Sequence, residues 1–415
     1  MNYAVVNNAN KELDAVSLKT IAQSNHLNWL TQVRGVAAIY VLCHHAVRQV
    51  IVAGEHAHDP FYRLIQLLTS YGHYAVDVFI VLSGYCLMLP LIKKGVFGSS
   101  INFYIRRAVR IILPYYGALA LTLILIYFFG TGLQESTWAK HSLPVSFESV
   151  WKHLLLIHQW FPHTQNNING AFWSVGVEFQ IYLFFPLFYY AGHKIGFLNT
   201  FYMITVVAYA LWGITYYFNI FNPSENGVSI YYCVLFFMGV MAARYAHQEN
   251  KIYPALLLTK YPRVTMLLAV SGIIGLAGLS FIISYINPVL TIPLQIQSFF
   301  VGLFVAVLFF LKGCNSIEFT YLNHSATLKC LERVGVLGFS VYLLHDPVVS
   351  IVWSYLVLPM QLPFYWLQAV VEIVLGLIIS IGVASVFYKY IELPCHQLSK
   401  TLAGVFTINP MRFTQ

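Results

Sequence analysis

Residues 264–286 read VTMLLAVSGIIGLAGLSFIISYI, and this stretch decides the fold. It holds no Asp, Glu, Lys, Arg or His. As a helix it covers about 34 Å, enough for the hydrocarbon core of a bilayer. In water such a helix would expose apolar side chains all round, whereas in lipid its backbone pairs internally and its side chains meet acyl chains. Working outward in both directions, nine further runs share this character: 28–50, 72–92, 109–129, 171–191, 200–221, 228–247, 290–311, 336–357 and 364–388. The pattern predicts an all-α, polytopic membrane helix bundle with about ten transmembrane helices. A membrane barrel would instead need alternating segments of about 10 residues.

Composition agrees. The 415 residues are 59% hydrophobic and only 9% charged, against about 25% charged in soluble domains. The formal net charge of +8 raises the question of nucleic acid. The basic residues, however, form short caps between apolar runs, the pattern of topology signals and anionic headgroup contacts. The expected partner is the lipid bilayer, with no nucleic acid. The first 26 residues are polar and Asn-rich, so no cleavable signal peptide is expected. The six cysteines follow neither a metal-ligand spacing nor a disulfide framework. With no repeat or appended soluble domain, the reading is one membrane domain over 28–394, flanked by tails 1–27 and 395–415.

Ten spans put both termini on one side, together with nineteen of the 23 basic residues. Only Arg48, Arg63, Lys140 and Lys152 fall on the other. The positive-inside rule then makes both termini cytoplasmic. The longest external connection, roughly 130–170, holds Trp138, Trp151 and Trp160 with His141, His153, His158 and His163. Its Trp faces could stack on sugar rings or anchor the interface.

Few acidic residues lie well inside a run: Asp77, Glu178, Asp346 and Glu372. An unpaired charge at mid-membrane costs at least ~2.5 kcal/mol, so each marks a candidate functional position. His44, His45 and His345 are also within runs. His45 lies eleven residues beyond Arg34, about 16 Å further out along the helix. Asp77 and Glu178 fall roughly 8 and 10 Å inside the outer face. Three proton-handling groups thus share the outer half of the membrane. His45 with Glu178 or Asp77 would make a general base, the carboxylate orienting the imidazole. The same residues could form a buried packing network or a proton relay. His44 points about 100° away from His45, so both cannot face one cavity equally and one of the two is expected to pack.

At the inner face, Arg107 and Arg110 share a helix side. With Arg34 they could form a guanidinium cluster suited to phosphate, or act only as a positive-inside signal. Glu392 is expected to pair with one of these arginines. Asp346 precedes Pro347, where a helix break accommodates a polar side chain, and Glu372 has no assigned role beyond a packing contact.

At these residues the chain resembles the acyltransferase-3 family of bacterial membrane O-acyltransferases, from about residue 28 to 394. The first run carries Leu30–Thr31–Gln32–Val33–Arg34–Gly35, with His45 at the Arg-x10-His spacing. The second has Val76–Asp77–Val78–Phe79–Ile80–Val81–Leu82–Ser83–Gly84, and the third opens on Arg107 and Arg110. The fourth has Asn169–Gly170, Trp173–Ser174 and Val177–Glu178–Phe179–Gln180–Ile181–Tyr182, ending at Pro186. The ninth has Ser340–Val341–Tyr342–Leu343–Leu344–His345–Asp346–Pro347. Ala75 and Leu113 depart from the usual Gly and Pro, away from any proposed chemical group.

The resemblance implies an O-acyltransferase in the bacterial cytoplasmic (inner) membrane. Cytoplasmic acetyl-CoA or another short acyl-CoA would bind its phosphates on Arg34, Arg107 and Arg110, with no metal. His45, with Glu178 or Asp77, would act on a hydroxyl of an extracytoplasmic carbohydrate or glycolipid, and Ser83 or Ser174 could carry an acyl group or only pack helices. The rival reading is a proton-coupled membrane transporter using the same His, Asp and Glu as a relay. A third is a purely structural or lipid-binding subunit.

Overall fold

The computed structural model describes residues 28–50, 59–133, 136–218, 229–248, 258–286, 292–314 and 326–405. The expected tail 1–27 lies outside them. No strand occurs among the described residues. The helices are α1 (residues 28–50), α2 (Pro60–Thr69), α3 (Gly72–Lys94), α4 (Ser100–Phe129), α5 (Thr137–Ser142), α6 (Phe147–Leu154), α7 (Phe172–Ile195) and α8 (Phe197–Tyr217). They continue with α9 (Tyr232–Ala246), α10 (Pro262–Ile286), α11 (Leu294–Gly313), α12 (Ala326–Val336), α13 (Gly338–Val352), α14 (Tyr365–Phe387) and α15 (Leu393–Val405).

Among the described residues, seven helical stretches are long and apolar enough to cross a membrane: Pro60–Lys94, Ser100–Gly132, Phe197–Tyr217, Pro262–Ile283, Leu294–Gly313, Gly338–Met360 and Tyr365–Leu402. The all-α membrane bundle is as expected, while the count of about ten is not confirmed among the described residues. Helices α1 and α7 are long, but their polar residues dilute the hydropathy: Arg34, His44, His45 and Arg48 in one, Glu178 and Gln180 in the other. Helix α9 is apolar but has only 15 residues. Residues 395–405, expected in the tail, belong to α15, which packs along α4.

Short α9 is nonetheless central. Val234, Leu235, Phe236, Phe237, Val240 and Ala243 are all fully buried. Its closest neighbour is α3, and two glycines explain the approach. A Cβ on Gly84 would lie 1.9 Å from the Phe236 carbonyl oxygen, and one on Gly239 would lie 2.0 Å from that of Val81. Small residues let membrane helices pack backbone to backbone where lipid removes the hydrophobic drive. A second layer joins α1, α13 and α14 through Ala38, Leu42, Ala46, Val341, Val349 and Ala384.

Between α4 and α7 the chain folds a cap from α5, α6 and the turn His158–Trp160. Gln49 ties this cap to the bundle: its amide nitrogen donates to Thr137 Oγ1 (2.6 Å) and Ser350 Oγ (3.0 Å), and its oxygen accepts from Thr137 N–H (2.9 Å). The end of α1, the cap and α13 are thereby fixed together beside His45.

Candidate active site

Two cavities meet end to end within the bundle. The first, of about 180 Å³, is lined by Arg34 of α1, Ser83 and Cys86 of α3, Arg107 and Arg110 of α4, and Glu178 and Tyr182 of α7, with Glu392 beyond α14. The three expected arginines therefore converge. The Arg107 guanidinium sits between the rings of Phe103 and Tyr182, 5.7 Å from each centroid. Gly338 leaves room for the Arg34 stem, since a Cβ there would lie 2.9 Å from Arg34 Cγ. Two carboxylates share this cavity but are engaged elsewhere. Glu178 Oε1 accepts from Ser83 Oγ (2.6 Å) and from the Tyr182 hydroxyl. Glu392 Oε2 accepts from Ser340 Oγ at 2.5 Å rather than pairing with an arginine, as the sequence had suggested. Among the described residues none of the three arginines forms an ion pair. Converging guanidinium groups without carboxylate partners suit an oxyanion such as phosphate.

The second cavity, of about 390 Å³, is lined by His44, His45 and Arg48 of α1, Gly72, His73 and Val76 of α3, cap residues including His141 and Asn166, Trp173, Tyr232 and Asp346. His45 Nδ1 faces Asp346 Oδ1 at 3.5 Å, with the histidine side chain 23% exposed and the aspartate 6%. Asp346 is held from its other side, where Oδ2 accepts the Gly170 N–H (2.9 Å). Asn169 braces that loop, donating to the Leu343 carbonyl (2.9 Å) and accepting from Ala171 N–H (2.9 Å). The His345 ring meets His45 edge-on at 4.9 Å while its Nδ1 contacts the Tyr342 carbonyl oxygen (2.8 Å). A carboxylate on Nδ1 leaves Nε2 of His45 as the free nitrogen. The 3.5 Å separation fits a pair that tightens when substrate closes the site.

The cavities share two residues, Val76 and Tyr342. The Tyr342 hydroxyl lies 2.6 Å from Ser174 Oγ, so this septum contains a hydroxyl pair and one small apolar side chain.

The expected base partners fall elsewhere. Glu178 lies in the arginine cavity, on the far side of the septum from His45. Asp77 is fully buried, faces Ser298 of α11 and lines neither cavity. Val76 points into the site, and the next residue on a helix is turned by about 100°. Asp346, expected only as a polar residue tolerated by a helix break, is instead the carboxylate that meets His45. His44 lines the same cavity as His45, but its Nδ1 is tied to the Thr69 carbonyl (2.7 Å). Glu372 is fully buried on α14 and lines neither cavity. None of the three cap tryptophans lines either cavity, and of them Trp151 is exposed. Trp138 is buried, donating to the Ile168 carbonyl (2.7 Å), and Trp160 donates to Gln180 (3.3 Å). The Trp and Tyr rings that line the cavity are Trp173, Tyr232 and Tyr342.

Comparison with known proteins bears on the chemistry. A family profile described as an acyltransferase domain matches residues 27–389. The chain is 31% identical over 172 residues to acyltransferase MdmB of Streptomyces mycarofaciens, covering 40% of each chain. It is 22% identical over 338 residues to peptidoglycan O-acetyltransferase OatA of Listeria monocytogenes, covering 78% of this chain and 51% of that one. The chain thus spans about half or less of the length of these relatives. No solved structure matches it.

Proposed function

Because this chain belongs to the acyltransferase-3 family, as an integral membrane acyltransferase, we propose that it carries an acyl group from acyl-CoA on the cytoplasmic side to a carbohydrate hydroxyl on the other. The observation that carries this reading is the pair of adjoining cavities, one with three arginines that form no ion pair among the described residues and one with a His–Asp pair, which share Val76 and Tyr342 in their linings. Family membership favours the enzyme over a proton-coupled carrier, and a carrier has no need of the arginine cluster.

In this mechanism the phosphates of acetyl-CoA rest on Arg34, Arg107 and Arg110, and the pantetheine arm runs along the bundle toward the septum. Arg34 and His45 are eleven residues apart on one helix, a rise of about 16 Å that the arm must bridge. His45 Nε2 takes the proton from the acceptor hydroxyl, and Asp346 stabilises the imidazolium that forms. The hydroxyl oxygen attacks the thioester carbonyl, the new C–O bond forms and the C–S bond breaks. The leaving CoA thiolate takes the proton back from His45. Holding donor and acceptor on one axis supplies the proximity term. Glu178, fixed by Ser83 and Tyr182, acts as a wall of the donor cavity rather than as the base. Acetyl as the acyl group and a cell-surface sugar as acceptor follow what the OatA relative is named for, and the positive-inside rule supports an arginine cavity facing the cytoplasm of a bacterial inner membrane.

The test is sidedness. In sealed membrane vesicles of known orientation, labelled acetyl-CoA supplied on the cytoplasmic face should give labelled ester on a sugar acceptor confined to the opposite face. Ester formed only when both substrates share one side would refute the two-cavity route.

A further inference from the structure

The histidine cavity carries a fixed charge that proton transfer does not use. Arg48 lies three residues beyond His45, on the same side of α1 and lining the same cavity. Among the described residues it forms no ion pair. The one carboxylate in that lining, Asp346, is committed to His45 and to the Gly170 N–H. Arg48 thus brings a guanidinium into the cavity with no carboxylate partner among the described residues. The imidazole neighbours do not cancel its charge. Burial and the nearby Arg48 charge hold the cap residue His141 below its ordinary value, leaving it a neutral hydrogen-bonding group. The remaining lining suits a sugar: the Asn166 amide offers hydrogen bonds and the Trp173 ring offers a stacking face. At about 390 Å³ this cavity is roughly twice the size of the arginine cavity at about 180 Å³.

We propose that the acceptor is an anionic sugar, its carboxylate or phosphate held by Arg48 while a hydroxyl of the same residue meets His45 Nε2. The role given to the hydroxyl rests on the acyl-transfer reading, but recognition of the anion does not. Arg48 is thus a specificity-determining residue: it selects charged acceptors over neutral ones and fixes which hydroxyl reaches the base. A charge-assisted hydrogen bond at a partly open site corresponds to about a tenfold preference.

The experiment is equilibrium titration of the purified protein in nanodiscs, without acyl-CoA. The probes are methyl β-D-glucoside, methyl β-D-glucuronide and methyl β-D-glucoside 6-phosphate. Wild type should bind at least one anionic glycoside about tenfold more tightly than the neutral one, and whichever anion is preferred identifies the source of the charge. Arg48→Gln should abolish the preference, Arg48→Lys should keep most of it, and added salt should weaken it. Equal affinity for all three glycosides, no measurable binding of either anion, or a preference intact in Arg48→Gln overturns the proposal. Should Arg48→Gln fail to fold, the salt dependence and the Lys variant still decide. Release of CoA thiol is followed in parallel: its absence beside an intact anion preference would refute acyl transfer and leave the anion site standing.

Discussion

Replacing Asp346 by Asn separates the orienting role of this carboxylate from its volume. The amide has nearly the same shape, and its oxygen can still accept the Gly170 N–H now bonded at 2.9 Å. Its NH2 group would then face His45 Nδ1, which the carboxylate oxygen now meets at 3.5 Å. Two donors cannot pair, so the imidazole shifts its proton to Nε2, the nitrogen that must be free to take one from the acceptor. The same substitution in a serine-protease triad costs about 10⁴-fold in kcat. Here the contact is longer than a formed hydrogen bond, so part of that coupling is absent from the resting enzyme. We expect kcat to fall about 10²–10³-fold, or roughly 3–4 kcal/mol of barrier. Stability should change by only about 1 kcal/mol, since the Gly170 bond survives. The assay is acceptor-dependent release of CoA thiol in nanodiscs, with acetyl-CoA affinity and thermal denaturation measured alongside. The donor site lies across the septum, so its affinity should stay within about twofold of wild type. A variant with kcat within threefold of wild type would refute the assignment of Asp346 to His45.

Arg107→Ala should weaken acetyl-CoA binding by about 10–100-fold, and Arg107→Lys should recover little of it, because an ammonium lacks the planar fork that stacks between Phe103 and Tyr182; equilibrium binding of acetyl-CoA checks both. Val76→Phe fills the septum shared by both cavities. Transfer should fall more than about tenfold while acetyl-CoA affinity moves by less than about threefold, as a block on productive approach rather than on binding demands. The cap should give a pH-dependent stability. His153 and His158 stack at 3.8 Å; burial pushes His153 down to about 4, and burial and its neighbour hold His158 well below its ordinary value. Between pH about 6.5 and about 4 the unfolded chain binds protons that the folded cap refuses, so stability is full above that window and falls as pH drops through it, by roughly 3 kcal/mol for His153 alone. Thermal melts from pH 7 to 4.5 should show the decline, and His158→Phe, which keeps a stacked ring, should remove the His158 share and leave the part due to buried His153.

Apolar runs were enough to place the long helices, because lipid imposes length and uniform hydropathy on each span. They located α9 but not its importance: that comes from Gly84 and Gly239, whose contact depends on which faces meet. Amphipathic α2, α12 and α15 and the cap helices escaped because their apolar runs are short. In the site, Arg107 and Arg110 were legible from a three-residue spacing and Arg34 from its depth. Depth along the helices does not by itself fix which carboxylate lies beside His45, because azimuth depends on which faces meet. Asp77 sits at a suitable level but is turned toward α11, and Glu178 lies one helical turn beyond Ser174, past the septum. A signal for Asp346 was nevertheless present. Helices α1 and α13 pass each other at Arg34 and Gly338. Counting outward from that level gives eleven residues to His45 and eight to Asp346, rises of about 16 and 12 Å. Two helices running the same way from one contact bring those side chains together, but the contact itself is a property of packing.

The most direct test of the central claim is release of CoA thiol from acetyl-CoA by the purified protein in nanodiscs, comparing wild type with His45→Ala. The account predicts thiol release by wild type, accelerated by a sugar acceptor, and none above background from His45→Ala, with acetyl-CoA binding retained because Arg34, Arg107 and Arg110 are untouched. Equal turnover by the two proteins would remove His45 from the chemistry, and a wild type that neither binds nor cleaves acetyl-CoA or another short acyl-CoA would contradict the donor site altogether.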